Sequence, residues 1–187
     1  MCATLAPMHP SLFYFPGGRL TLPELCSARL DGHLVEIDEA FMPADTIEGP
    51  AARATALAPL LPQGTAFIGP SAAWIQGAGD AAPAVHHVQR AGPRRVRVPP
   101  LPRRVLHESP LDPTRTMSLC SVRLTAPVHT LVDLARMSPR LPDFERWARA
   151  LALVCPGLAT TAHEELRRRE RLPGKRRGLA LLEELRA

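Results

Sequence analysis

The sequence predicts an α+β protein: a small N-terminal helix–strand segment of reduced winged-helix outline, then a mixed β-sheet domain with packed helices and a helical C-terminus. Three observations carry this. Strand-like segments bounded by Gly and Pro alternate with segments whose apolar residues recur at helical spacing. The apolar fraction is 45% with only 4% aromatics and a mean hydropathy of -0.05, so Leu, Val and Ala must build an ordinary globular core. The 21 prolines are scattered along the chain, which predicts short elements joined by stiff loops.

Residues 1–18 read as an irregular arm ending at the turn Pro16-Gly17-Gly18. A short helix follows over LTLPELCSARLDG, where Thr21 and Glu24 have capping-box spacing and Gly32 sits at the C-terminal end. Leu34, Glu36 and Asp38 alternate with Val35, Ile37 and Glu39 as a strand, either alone or as the arm of a hairpin. Gly49-Pro50 breaks the chain before the helix AARATALAPLL, and Gly64 to Ile68 is a brief strand. In GPSAAWIQGAG, Ser71 is a helix cap and Trp74 an anchor. Val85 to Gln89 and VLHESPL are further strands.

Ser118 to Leu124 reads as one imperfectly alternating strand that runs into a helix over Pro127 to Met137. Thr125 is the expected cap, Pro127 sits in the tolerant first turn, and Val128, Leu131, Val132 and Ala135 form one apolar stripe. His129–Asp133 and Asp133–Arg136 have the spacing of surface pairs. Ser138-Pro139 stops the helix. DFERWARALALV is a second amphipathic helix, Thr161 caps a charged helix AHEELRRRERL, and LALLEEL closes the chain. The expected organisation is an arm and reduced winged-helix segment over 1–48, an α+β domain over 49–140 and a helical region over 141–187.

Net charge is +5, but it is uneven: residues 1–60 hold three arginines against seven acids, leaving twenty cations against eleven acids in 61–187. Cys2, Cys26, Cys120 and Cys155 are far apart with no CxxC, which excludes a conventional zinc ribbon and gives no disulfide framework. The N-terminus lacks a basic region and no run approaches 18 apolar residues, so a cytoplasmic protein with no membrane partner is expected.

No glycine-rich phosphate loop, HExxH, GxSxG or paired-carboxylate pattern is present, so neither an enzyme nor a cofactor is expected. His86 and His87 are adjacent and would face opposite sides of a strand; one of them with His107 and Cys120 is a remote candidate metal site. The stronger candidate is RAGPRRVRVPPLPRR, with six arginines, four prolines and no acid over residues 90–104. Val96 and Val98 alternating with Arg95 and Arg97 suggest an edge strand with a basic face. Arg90, Arg94, Arg95, Arg97, Arg103 and Arg104, with Arg29 on the N-terminal helix, are the candidate phosphate- or partner-contacting residues. A solvated edge whose charges block sheet aggregation is the competing reading. The arginines of 167–171 read as a solvated helix surface.

VRLTAPVHTLVDLAR resembles the signature of an actinobacterial family related to the AbiEi antitoxins of type IV toxin–antitoxin systems. SAAWIQGAG and LPELCSARLDGHLVEIDEAFMPAD resemble further family segments in the same order, so the resemblance covers roughly residues 20–140; Gln76 stands where the family usually has His, and His129 where it has Arg. The resemblance implies a winged-helix-like DNA-binding segment and an α+β antitoxin-type domain. It also implies transcriptional regulation of its own operator and neutralisation of a nucleotidyltransferase-type toxin without an extensive stable complex. Many relatives continue into a Vsr-like endonuclease domain; LPGKRRGLALLEELRA stands about where that domain would begin, so the nuclease is expected to be absent. The alternative expectation is a non-catalytic protein–protein interaction module that binds an acidic partner.

Overall fold

The structure, a computed structural model, describes residues 12–92, 96, 97, 99–138, 141 and 143–186. It is mixed α+β. Helix α1 spans Leu22–Leu30. Glu24 Oε2 accepts from both the backbone N–H and the hydroxyl of Thr21, each at 2.7 Å, as the capping-box spacing predicts. Gly32, at φ 78, releases the chain from the helix in a conformation that suits glycine. The alternation over Leu34–Glu39 proves to be a hairpin. β1 (Leu34–Ile37) turns at Asp38-Glu39 into β2 (Ala40–Pro43), with Ile37 opposite Ala40 and Asp38 at φ 52. Tyr14 adds an antiparallel bridge to Phe41, and residues 1–11 of the expected arm lie outside the described residues.

The remaining elements are α2 (Pro50–Leu57), running into a 3-10 turn at Ala58–Leu60, β3 (Thr65–Phe67), α3 (Gly69–Ile75), β4 (His86–Arg90) and β5 (Arg104–His107). They are followed by β6 (Thr116–Leu119), β7 (Val122–Thr125), α4 (Pro127–Met137), α5 (Asp143–Val154), α6 (Leu158–Arg168) and α7 (Lys175–Glu184). The main sheet has the order β5-β4-β3-β7-β6. β4 pairs antiparallel with β3 and parallel with β5, β3 pairs parallel with β7, and β6 and β7 form an antiparallel hairpin.

Several local expectations are corrected. The strand expected over Ser118 to Leu124 is broken at Cys120 and Ser121, which take φ 48 and 65 and form the two-residue turn of the β6–β7 hairpin. Two successive left-handed residues are the signature of a type I′ turn, and Cys-Ser lacks the Asn-Gly chemistry that announces one. Thr125 ends β7 instead of capping α4; the cap position is Ala126, and the Thr125 hydroxyl meets that of Thr130 at 2.7 Å. Ser71 lies inside α3 behind the cap position Ile68, and Thr161 lies inside α6 behind Gly157. His129 does not pair with Asp133: its Nδ1 accepts from Arg169 Nη2 at 2.9 Å, while Asp133 takes Arg136 at 2.7 Å. Val96 and Arg97 form no strand, and Arg95, Val98 and the expected stop at Pro139 lie outside the described residues.

One apolar cluster joins all three parts of the chain. It includes Phe13, Ile37 and Met42, then Leu57, Phe67, Trp74, Leu131 and Leu134, then Trp147, Leu151, Leu166 and Leu182. Helix α4 buries Thr130, Leu131, Val132, Leu134 and Ala135, a wider face than the four-residue stripe, while Val128 stays half-buried. Each such leucine contributes about 1.5–3 kcal/mol of transfer free energy. Leu25, Leu34 and Phe41 form a separate small cluster under α1. No helix of the described residues is long and apolar enough to cross a membrane.

Candidate nucleic-acid interface

Arg90, Arg97, Arg103 and Arg104 sit around the parallel pair β4–β5, and the structure divides them. Arg90 at the end of β4 donates from Nε to the Glu108 carbonyl at 3.0 Å. With Val96, Arg97, Leu106 and Glu108 it lines a solvent-open groove of about 580 Å³. Arg97 is exposed there and makes no ion pair or hydrogen bond among the described residues. Arg103 and Arg104 are at the opposite end of the two strands, since His86 pairs with Arg104 and Gln89 with His107. Arg103 donates to Asp38 Oδ1 at 2.5 Å and to Glu39 Oε1 at 2.9 Å, and these carboxylates hold its pKa above the usual guanidinium value. Arg104 donates to the carbonyls of Leu60 at 3.2 Å and Pro99 at 2.5 Å, and burial lowers its pKa. Both guanidinium groups serve the fold. Arg29 lies on α1, 3.8 Å from Glu36, with both side chains about half exposed. Arg94 and Arg95 lie outside the described residues. Where the ribbon meets the N-terminal segment, then, its charge is met by Asp38 and Glu39.

Arg103 closes a buried polar relay that the sequence does not announce. Ser71 Oγ lies 3.3 Å from His86 Nδ1, and His86 Nε2 lies 3.0 Å from Asp38 Oδ2. Ser71 Oγ also accepts from the backbone N–H of His87 at 3.0 Å. A neutral imidazole with its proton on Nε2 satisfies every atom: Ser71 donates to Nδ1 and Nε2–H donates to Asp38. Burial raises the Asp38 pKa, but the hydrogen bonds from His86 and Arg103 outweigh it and leave the carboxyl below its ordinary value. Ser, His and Asp in this order resemble a catalytic triad in composition only. Ser71 and His86 are 0% exposed and the Asp38 side chain 3%, so no substrate carbonyl can reach the hydroxyl. The relay is a tie between the hairpin tip, the start of the interior strand β4 and α3.

The next histidine faces the other side. His87 Nδ1 lies 3.0 Å from His107 Nε2 with the rings stacked at 5.3 Å, and the Phe144 ring stands edge-on to His87. Burial, with the neighbouring His107 and His86, pushes the His87 pKa down to about 4, and burial also lowers that of His107. Cys120 is at the β6–β7 turn, on the far edge of the sheet from β4 and β5. The metal cluster imagined from His107 and Cys120 is therefore not assembled, and no group of three metal-ligating side chains exists among the described residues.

The two segments that resemble family motifs meet in space. Gln76 Nε2 donates to the Thr125 carbonyl at 2.6 Å and to Thr130 Oγ1 at 3.3 Å, which joins SAAWIQGAG to the start of α4. Arg53, which sequence reasoning used only in a charge count, is 9% exposed. It pairs with Glu48 at 2.6 Å, donates to the Trp74 carbonyl at 3.0 Å, and stacks on the Trp74 ring at 5.0 Å. Its only sequence signal was a lone cation in an otherwise apolar, alanine-rich helix. No family model matches the chain, and no curated protein matches it.

Proposed function

We propose that the protein is a non-catalytic, antitoxin-like regulator of the cytoplasm that binds duplex DNA through arginine–phosphate contacts. The observation that supports this reading most is the open groove lined by Arg90, at the end of β4, and by the exposed Arg97. Arginine donors at a groove rim favour phosphate oxygens, which position a duplex without reading its sequence. The SAAWIQGAG and VRLTAPVHTLVDLAR resemblances supply the antitoxin part of the reading, with autorepression at its own operator and a nucleotidyltransferase-type toxin as functional partner. The N-terminal helix and hairpin have the outline of a winged segment, but α1 offers one arginine, Arg29, so the groove is the better phosphate contact.

The test is fluorescence anisotropy with a labelled duplex taken from upstream of the coding region. Wild-type protein is expected to bind at low salt, and Arg90→Glu/Arg97→Glu to bind at least tenfold more weakly. Equal binding by the two proteins overturns the groove reading. Absence of binding, combined with co-purification of an acidic protein that needs the same two arginines, favours the protein–protein alternative.

A further inference from the structure

The densest charge on the molecule is not at the groove. From Arg167 to Arg177, seven cationic side chains stand against one acid, Glu170. These residues form the elbow at which α6 ends and α7 begins. We infer that this elbow is a docking surface for the phosphate backbone of a nucleic-acid duplex, a second and stronger contact than the groove; the inference rests on the nucleic-acid reading given above.

The elbow is firmly built. Gly174, at φ 78, lies so close to the Arg136 carbonyl that a Cβ would clash with it, and Gly178 lies against Leu166 and Arg136. Lys175 Nζ donates to the carbonyls of Arg167 and Arg169, which α6 leaves unpaired at its end, so Lys175 is a structural cap. Arg169 is likewise engaged with Glu165 and His129, and Arg168 lies 3.8 Å from Glu164. Four guanidinium groups remain. Arg167, Arg171, Arg176 and Arg177 are exposed and make no ion pair or hydrogen bond among the described residues.

The placement of two of them, Arg176 and Arg177, works against helix stability. Lys175, Arg176 and Arg177 occupy the first turn of α7, the positive end of its dipole, while Glu183 and Glu184 occupy the negative end. Both ends are reversed from the favourable pattern, and Arg176 and Arg177 find no internal anion in compensation. A local rule broken without internal compensation points to function. An external polyanion supplies the missing negative charge.

The chemistry of the surface selects a duplex over other polyanions. Residues 158–187 contain no Phe, Trp or Tyr, so the elbow has no platform on which bases of a single strand would stack. It also lacks the aromatic and apolar centre around which protein interfaces form. Arginines on a rigid corner suit regularly spaced phosphates.

The experiment compares full-length wild type, an elbow variant (Arg167→Ala/Arg171→Ala/Arg176→Ala/Arg177→Ala), its all-Lys counterpart and the groove variant. Each is titrated by anisotropy on a labelled duplex and on the matching single strand at several salt concentrations. All four substituted side chains are exposed, and equal melting temperatures check that the variants fold. The elbow variant is expected to lose at least tenfold in duplex affinity, and its log K against log salt slope to shrink by about 3 to 4. The all-Lys variant retains most of both, and the duplex is bound more tightly than the single strand. Undiminished duplex binding by the elbow variant overturns this inference while leaving DNA binding intact. Absence of wild-type binding to either strand form overturns both readings, and capture of an acidic protein through the elbow in that case reassigns the surface to a protein partner.

Discussion

Asp38 Oδ2 lies 3.0 Å from His86 Nε2, with both side chains shut away from solvent. Through this bond the tip of the N-terminal hairpin is fastened to the sheet and, by way of Ser71, to α3. Asp38→Asn keeps the shape but removes the charge that Arg103 and His86 share. A loss of about 2–4 kcal/mol of unfolding free energy is expected, because the asparagine keeps one accepting oxygen and turns its NH2 against the other donor, His86 or Arg103. Urea denaturation measures it, and a change below about 0.5 kcal/mol would show that the tie is incidental.

Arg53→Met should be comparably damaging. The methionine fills the space beside Trp74, but the carbonyls of Trp74 and Ala78 lose their donor and Glu48 its partner. A loss of about 2–4 kcal/mol is expected, read by the same denaturation. Glu48→Gln, at a more exposed position, should cost clearly less.

Acid should weaken the fold before carboxylates protonate. The His87 pKa is about 4 against an ordinary 6.5. The unfolded chain therefore takes up that proton first, and stability falls as pH drops from 6.5 toward 4. His107 and His129, both lowered, act in the same direction; Asp143 near His87 opposes it. The His87 contribution is at most about 3 kcal/mol. Below about pH 3.8 the Asp38 contribution is lost as well, because its folded pKa is depressed. His87→Phe should flatten the pH 4–6.5 slope of the melting temperature, and an unchanged slope would contradict the assignment.

The β6–β7 turn stores strain, since Cys120 and Ser121 both hold positive φ. Cys120→Asn/Ser121→Gly supplies the residues this turn geometry favours and should raise stability by about 1 kcal/mol. A lower melting temperature would mean that the Cys120 side chain contributes packing worth more than the strain.

Glu108 lines the groove beside Arg90 and Arg97 and repels phosphate. Glu108→Gln should tighten duplex binding severalfold at low salt and leave stability almost unchanged. Weaker binding would place the contact surface elsewhere.

Local patterns were readable and long-range ones were not. Helix α4 came through with its bounds because apolar spacing and Pro127 act within one segment. The Thr21–Glu24 cap came through for the same reason. The Asp38-Glu39 turn was hidden because the alternation continues across it, and the Cys120-Ser121 turn because neither residue signals left-handed backbone. The relay joins Ser71, His86 and Asp38 across 15 and 48 residues, and no local pattern records such a meeting. Charge counting likewise could not separate Arg103, bound to Asp38 and Glu39, from exposed Arg97. It also passed over the elbow, because the reversed ends of α7 matter only once its start is known.

The most direct measurement is the salt dependence of duplex binding by the wild-type chain. With five or six arginine–phosphate contacts, log K should fall against log salt with a slope of about −4.5 to −5.5 between about 50 and 300 mM. A slope near zero, or no binding at about 50 mM, would contradict phosphate-directed recognition.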